Sequence, residues 1–171
     1  MEQNIPQVIH MANVYTKGNK LVGLSDEVTL PTFAPQTETI AGFGLLGEID
    51  NPTPGHFGSM ELEVPFRVLN SDLFGVMAQG AAVDLTLRAS EQFSSNEGIT
   101  YKGIRVVVRG PLKEFNPGSV KQGSPMGASV KVEITYILIE FDGKTMVELD
   151  KINPKYYING VDQLAASMAL C

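Results

Sequence analysis

The side chains best suited to catalysis or metal binding are few in this 171-residue chain and lie far apart in the sequence. His10 and His56 are the only histidines, and neither has a neighbour at a metal-ligand spacing such as HxxxH. Cys171 is the only cysteine, which excludes a disulfide within the chain and any CxxC motif. It has no evident activating base, so an incidental thiol is the better interpretation. The sequence predicts neither a metal site nor a cofactor.

Two further patterns were considered as sites. Glu61 and Glu63 share one strand face and resemble a general acid and base pair, but mixed charges facing water explain them with fewer assumptions. The segment GFGLLG, residues 42 to 47, matches GxGxxG only superficially, because it does not lie between a strand and a helix. We therefore do not expect an enzyme.

Composition excludes several classes of function. The formal net charge is −6, with no cluster of lysine and arginine that could follow a phosphate backbone, so sequence-specific nucleic-acid binding is disfavoured. The first residues contain no basic segment followed by an apolar one, and no apolar run approaches membrane-spanning length. We expect a protein without a membrane anchor that is made in the cytoplasm.

Strand signals dominate the elements that must position any site. Alternating apolar and polar residues mark strands at 59–69, 82–90, 99–110 and 128–142, separated by turns rich in Gly, Asn and Asp. Residues 14–23 predict two short strands around a turn at Gly18 and Asn19, and Asp142 and Gly143 predict a further hairpin. Residues 71–80 predict a short helix capped by Asn70 or Ser71, and residues 161–170 a second one near the C-terminus. The sequence predicts one domain over residues 1–171, an antiparallel β-sandwich or barrel.

A long Gly/Pro-rich connection at about 42–58 carries more apolar surface than a solvated loop requires. We interpret it as an arm that packs against a neighbouring molecule, the alternative being a flap folded onto its own core. Its candidate contact residues are Phe43, Leu45, Leu46, Ile49 and Phe57.

The segment ASVKVEITYILIEFD, residues 128–142, changes character in the middle. Lys131, Glu133 and Thr135 make one face polar, but Ile137 and its successors at every second position continue that face as apolar. We interpret it as one long strand and predict that burial of the odd-numbered face begins near residue 136.

Two stretches of the chain are long and particular in sequence: PTPGHFGSMELEVPFRV, residues 52–68, and TYILIEFDGKTMVELDKIN, residues 135–153. Together with further stretches in the same order, from about Ile5 to Cys171, they resemble the major tail tube proteins of contractile-tailed bacteriophages. The resemblance implies a β-sandwich subunit that forms hexameric rings, stacked into a tube whose channel conducts DNA. Similar folds occur in tail-like bacteriocins and in type VI secretion tubes.

The resemblance also implies partners and a location. Besides other copies of itself, the subunit would contact the tail sheath, the baseplate or initiator, and the tape-measure protein. DNA would pass through the channel without sequence-specific binding. The expected location is the virion tail, assembled in the cytoplasm of the bacterial host.

Charged residues on the polar strand faces are the candidates for lining such a channel. With four acids against five bases they predict a near-neutral surface rather than a strongly acidic one; they are Glu61, Glu63, Arg67, Asp84, Arg88, Arg105, Arg109, Lys131 and Glu133. The alternative is that some of these strands face the outer solvent.

Another class of function competes with the tube subunit. A β-rich chain of this size also suits a carrier with a lipocalin-like barrel, which would be a monomer with an internal apolar cavity. Size-exclusion chromatography or negative-stain microscopy separates the two hypotheses.

Overall fold

A computed structural model describes residues 4–23, 27–76 and 80–171. Its strands form three antiparallel sheets, and two short helices accompany them, as the sequence predicted. The elements are β1 Ile5–Thr16, β2 Asn19–Lys20, β3 Pro35–Ile40, β4 Ile49–Phe57, β5 Glu61–Phe66, α1 Ser71–Val76, β6 Val83–Ser95, β7 Gly98–Gly110, β8 Leu112–Asn116, β9 Ala128–Glu133, β10 Tyr136–Phe141, β11 Lys144–Asp150, β12 Lys155–Ile158, β13 Val161–Asp162 and α2 Ala165–Met168.

The large sheet has eight strands in the order β13-β12-β11-β10-β7-β6-β1-β2, and the small sheet has three in the order β5-β9-β8. Their facing sides supply one core, in which Leu85, Val108 and Ile137 of the large sheet meet Val64 and Val132 of the small one. The body is therefore a β-sandwich. The remaining sheet is the hairpin of β3 and β4.

Tight turns at three hairpins follow from residues that accept positive φ. Lys17 and Asp142 precede glycines at φ values of 46° and 50°, and Asn159 does the same at 50°. Two-residue turns with positive φ match the twist of paired strands. The hairpin predicted at Asp142 is confirmed, whereas the first turn lies at Lys17-Gly18, one residue earlier than the sequence predicted.

The segment 128–141 is two strands rather than the predicted single one. β9 belongs to the small sheet and β10 to the large sheet, and the chain crosses between them at Ile134 and Thr135. Even-numbered residues face the core up to Ile134, and Ile137 is the first odd-numbered residue in it, at 0% exposure. The predicted change of face near residue 136 is confirmed, and its cause is this crossing. Ile137 and Ile139 pack in the sandwich core.

Glycine makes the reverse crossing possible. Gly110 ends β7 where the chain leaves the large sheet, and a Cβ there would overlap the backbone oxygen of Glu133. The backbone N–H of Thr135 also donates to the carbonyl oxygen of Arg109 at 3.0 Å. The two crossings thus lie against each other, at one end of the sandwich.

Four details differ from the sequence-based expectation. Only the end of β1, from Val14, was predicted as a strand, β8 was not predicted, and Ile49–Phe57 of the predicted loop is a strand. Val68 is exposed rather than buried, because β5 ends at Phe66. Val161 lies in β13, so the second helix is only four residues long. The first helix is capped as predicted, the backbone N–H of Leu73 donating to Asn70 Oδ1 at 3.0 Å, while residues 77–79 of its predicted span lie outside the described residues.

Candidate functional site

The nine charged residues selected from the sequence do not share one surface. Four of them lie on the outer face of the large sheet: Asp84, Arg88, Arg105 and Arg109. Another four lie on the outer face of the small sheet: Glu61, Glu63, Lys131 and Glu133. The core separates these faces, and Arg67 is exposed just beyond the end of β5. A single channel can therefore include only one of the two groups.

Ion pairs hold two of the three arginines on the outer face of the large sheet. Arg109 Nε donates to Asp84 Oδ2 at 3.0 Å, and the Arg105 guanidinium donates to Glu140 Oε2 at 2.9 Å. The strand register produces these pairs, because Asp84 lies directly opposite Arg109 and Glu140 opposite Arg105. Glu140 was not among the predicted residues, because it lies 35 positions after Arg105 and the pairing of β7 with β10 is not visible in any local sequence pattern.

The same network extends across the next strands. The Arg109 guanidinium lies 5.1 Å from the ring centre of Tyr136, whose hydroxyl donates to Glu148 at 3.3 Å. Burial, reinforced by Glu148, raises the pKa of the Tyr136 hydroxyl, so it stays a neutral donor. Over β6, β7, β10 and β11 this face presents three basic residues and four acidic ones: Arg88, Arg105, Arg109, Asp84, Glu140, Glu148 and Asp150.

A lysine neutralises the acids on the outer face of the small sheet. Glu61 and Glu133 lie opposite each other, and Lys113 contacts both carboxylates. Hydrogen bonds to the two glutamates raise the pKa of Lys113. Burial raises the pKa of Glu133, but hydrogen bonds from Ser59 and Lys113 outweigh it, and the net pKa is lowered. This arrangement stabilises a charged surface in which Glu61 and Glu133 are both ion-paired with Lys113.

The predicted arm is a β-hairpin that extends away from the body. Phe43 and Leu46 at its tip are 112% and 110% exposed, and Leu45 and Ile49 are exposed as well. Phe57 differs from them, because it packs at the base of the hairpin with its ring centre 5.2 Å from that of Tyr156. Phe57 therefore behaves as expected for a flap folded onto the core of its own chain. The other four candidates, Phe43, Leu45, Leu46 and Ile49, remain free to contact a partner.

The base of the arm is anchored to the C-terminal part of the chain. Gly55 adopts a φ of +80° and lies so close to Leu164 that a Cβ would overlap that side chain. Lys151 Nζ donates to the carbonyl oxygen of Gly58 at 2.9 Å. A two-stranded hairpin is only marginally stable in water by itself, so this hairpin gains from a further contact.

The remaining candidates for chemistry are dispersed. His10 packs edge-on against Tyr101, His56 is exposed in β4, and Cys171 is exposed. Within the described ranges, no group of three His, Cys, Asp or Glu residues is arranged to hold a metal ion. The helices of these ranges are too short or too polar to cross a membrane. One cavity between the two sheets, lined by described residues such as Val64 and Val108, is about 10 Å³.

Comparison with known proteins points to one family. The family model described as phage tail tube protein FII matches residues 6–169. The tail tube protein of Escherichia phage P2 is 27% identical over 161 residues, covering 94% of each chain. The major tail tube protein of Serratia phage KSP20 is 26% identical over 156 residues, covering 91% of this chain and 90% of the relative.

Proposed function

The chain belongs to the phage tail tube protein FII family, and from this premise we propose that it forms the inner tube of a contractile injection machine. In this proposal six subunits close into a ring, rings stack into a tube, and the channel conducts DNA. Membership in the family makes the chain a structural component of a phage tail. The contractile type, the hexamer and the DNA channel are the further steps that the proposal adds.

One observation carries the ring. The large sheet is open, with β2 at one margin and β13 at the other. Each edge strand is short, and most of β1 extends past β2, which pairs only with Tyr15 and Thr16. Exposed edges are an aggregation hazard that a closed ring removes, because every edge then pairs with the next subunit. We infer that the sheets join edge to edge around the channel.

Edge-to-edge joining decides which face lines the channel. Since the large sheet is the one that continues into its neighbours, its outer face becomes the wall, with Asp84, Arg88, Arg105 and Arg109 in the channel. The small-sheet group then faces outward, towards the sheath. Two of the three channel arginines, Arg109 and Arg105, are held by Asp84 and Glu140, so their charges are less available to DNA phosphates, and DNA slides without being gripped.

The arm is proposed as the element that joins subunits of adjacent rings. The other partners proposed are the sheath, the baseplate or initiator and the tape-measure protein, in a tail assembled in the host cytoplasm. A lipocalin-like carrier is not favoured, because such a carrier holds its ligand inside a closed barrel, whereas the large sheet of this chain is open. The cavity that lies between the two sheets is about 10 Å³.

Deletion of residues 43–49 tests the role of the arm in assembly. The body should remain folded, because the arm meets it only through its base, while tubes should no longer appear by negative-stain microscopy. Val120→Ser is the control, since Val120 is an exposed apolar residue of a different loop, 89% exposed. Tubes formed by the deletion variant would show that the arm is not an assembly element.

A further inference from the structure

We propose that the arm tip of one copy inserts Phe43 and Leu46 into an apolar groove beside β1 of a second copy. This inference rests on the proposed function, which requires contacts between rings, and names the surface that receives the arm. It assigns a role to a groove that the tube channel does not use.

The groove lies where the inner face of the large sheet extends past its cover. Its volume is about 350 Å³, and apolar residues of β1, β6, β7 and the segment at 27–30 line most of it, including Ile9, Ala12, Leu30, Leu87, Ala89 and Ile104. Core residues in these strands contact the small sheet, whereas Ala12 is exposed and Ala89 only half-buried. The inner face is thus apolar but incompletely covered, which is typical of a surface that receives another molecule.

The arm tip has the complementary shape and chemistry. A backbone hydrogen bond from Leu45 to Gly42, 3.2 Å long, closes the turn and leaves Phe43 and Leu46 fully exposed. One aromatic and one aliphatic side chain suit a groove of this volume, and a buried aromatic anchor is a frequent source of binding energy. The tip is therefore a knob for which the groove is the matching hole.

The occupant comes from a second copy because knob and groove lie at opposite ends of the sheet. The arm base packs on Tyr156 of β12, whereas the groove is beside β1. Five strand spacings separate β12 from β1 in the sheet order, which is about 24 Å. The arm tip and the groove are different surfaces of one subunit, so the contact between two copies is heterologous. Each copy can then bind one neighbour through its arm and another through its groove, as a stack requires.

Charge supports the same partner. The hairpin carries Glu38, Glu48 and Asp50, and no lysine or arginine occurs between residues 35 and 57. The groove itself is lined by one acidic residue, Glu27, whereas the turn and edge strand after β1 carry Lys17 and Lys20, both exposed. The acidic arm is therefore attracted to the β2 margin of the second copy rather than to the groove wall, and this attraction weakens as salt increases.

Two complementary variants test the docking. In the first, Phe43→Ser/Leu46→Ser removes the knob and leaves the groove, and in the second, Ala12→Arg fills the groove and leaves the knob. Each alone should require at least about 30-fold more protein to assemble, the loss expected for a hot-spot contact. Mixed together they should form paired rings or dimers without growing into tubes, while Val120→Ser and Val120→Arg assemble normally. Assembly of either variant at the wild-type concentration would overturn the docking.

Crosslinking reads the contact independently of tube formation. In a Cys171→Ser background, Leu46→Cys and Ala12→Cys proteins mixed with a bismaleimide should give a covalent dimer. Replacing Ala12→Cys by Val120→Cys should abolish it. If the covalent dimer is absent, the docking is refuted even if tubes form. If the wild-type protein never forms rings or tubes, the proposed function is refuted, and the crosslink still measures the docking by itself.

Discussion

Releasing the arginines of the large-sheet face from their acidic partners should make the channel hold DNA. The variant Asp84→Asn/Glu140→Gln removes the carboxylates that Arg109 and Arg105 contact at 3.0 and 2.9 Å. Exposed ion pairs of this kind contribute only about 0–1 kcal/mol each to folding, so the variant should fold and assemble. What changes is the charge available to DNA phosphates.

The size of the change follows from the charges on the four central strands. Four acids and three bases become two acids and three bases, so each subunit changes from a net −1 to a net +1. A ring of six would change from about −6 to about +6. Each phosphate neutralised by a freed arginine adds about 0.9 to the slope of log affinity against log salt.

The assay is retention of a short duplex DNA by purified open tubes. Wild-type tubes should leave the DNA sensitive to nuclease, and the variant should protect it at low salt and release it steeply as salt rises. Glu63→Gln/Glu114→Gln is the matched control, since it removes the same charge from the outer face of the small sheet. Equal protection by both variants, or by neither, would refute the assignment of the channel face.

Three further predictions concern the body of the subunit. Ile137→Asp should prevent folding, because it buries a charge at a fully enclosed site, where even shortening the side chain to alanine costs about 2–5 kcal/mol of stability. Thr135→Asp, at a half-buried site, should leave a protein that circular dichroism shows to be folded. Gly110→Ala should destabilise by about 1–3 kcal/mol or more in urea unfolding, because its Cβ meets a backbone oxygen, while Gly103→Ala, where the space is open, should cost far less. Because the pKa of Glu133 is lowered in the folded protein, the ionised Glu133 stabilises the fold at neutral pH, and this contribution is lost as the pH falls through the folded-state pKa. The thermal stability of Glu133→Gln should therefore fall less than that of the wild type between about pH 5 and pH 3.

Residue alternation in the sequence reports which face of a strand is dry, but not which sheet the strand joins. Around residue 136 it located the change of burial correctly, yet the cause was a crossing from the small sheet to the large one. A strand that passes between two sheets packed on one core must present opposite faces to it, since each sheet turns its inner side towards the other. A break in alternation is therefore also a signature of a crossing.

The same limit explains why the charged candidates divided into two groups. Alternation predicted correctly that Asp84 and Glu61 lie on polar faces, but two polar faces of a sandwich are indistinguishable in sequence. The part of β1 before Val14 escaped prediction for a different reason. Two register shifts against β6, near Pro6 and near Ile9, disrupt its alternation, and most of its residues are exposed.

The arm shows what composition can and cannot predict. Its apolar surface was recognised from Phe43, Leu46 and their neighbours, but Pro52 and Pro54 argued against a strand. In a two-stranded hairpin each strand has a free edge, so prolines are tolerated there. The anchoring of Phe57 on Tyr156 depends on residues about a hundred positions apart, which local patterns cannot reveal.

The central claim is that the large sheet closes into the wall of a channel, and electron cryomicroscopy of the purified protein tests it most directly. We expect stacked rings of six, with the sheets joined edge to edge and Asp84, Arg105 and Arg109 lining the bore. A protein that remains monomeric at high concentration would contradict the claim. So would a tube whose bore is lined by Glu61, Lys131 and Glu133 of the small sheet.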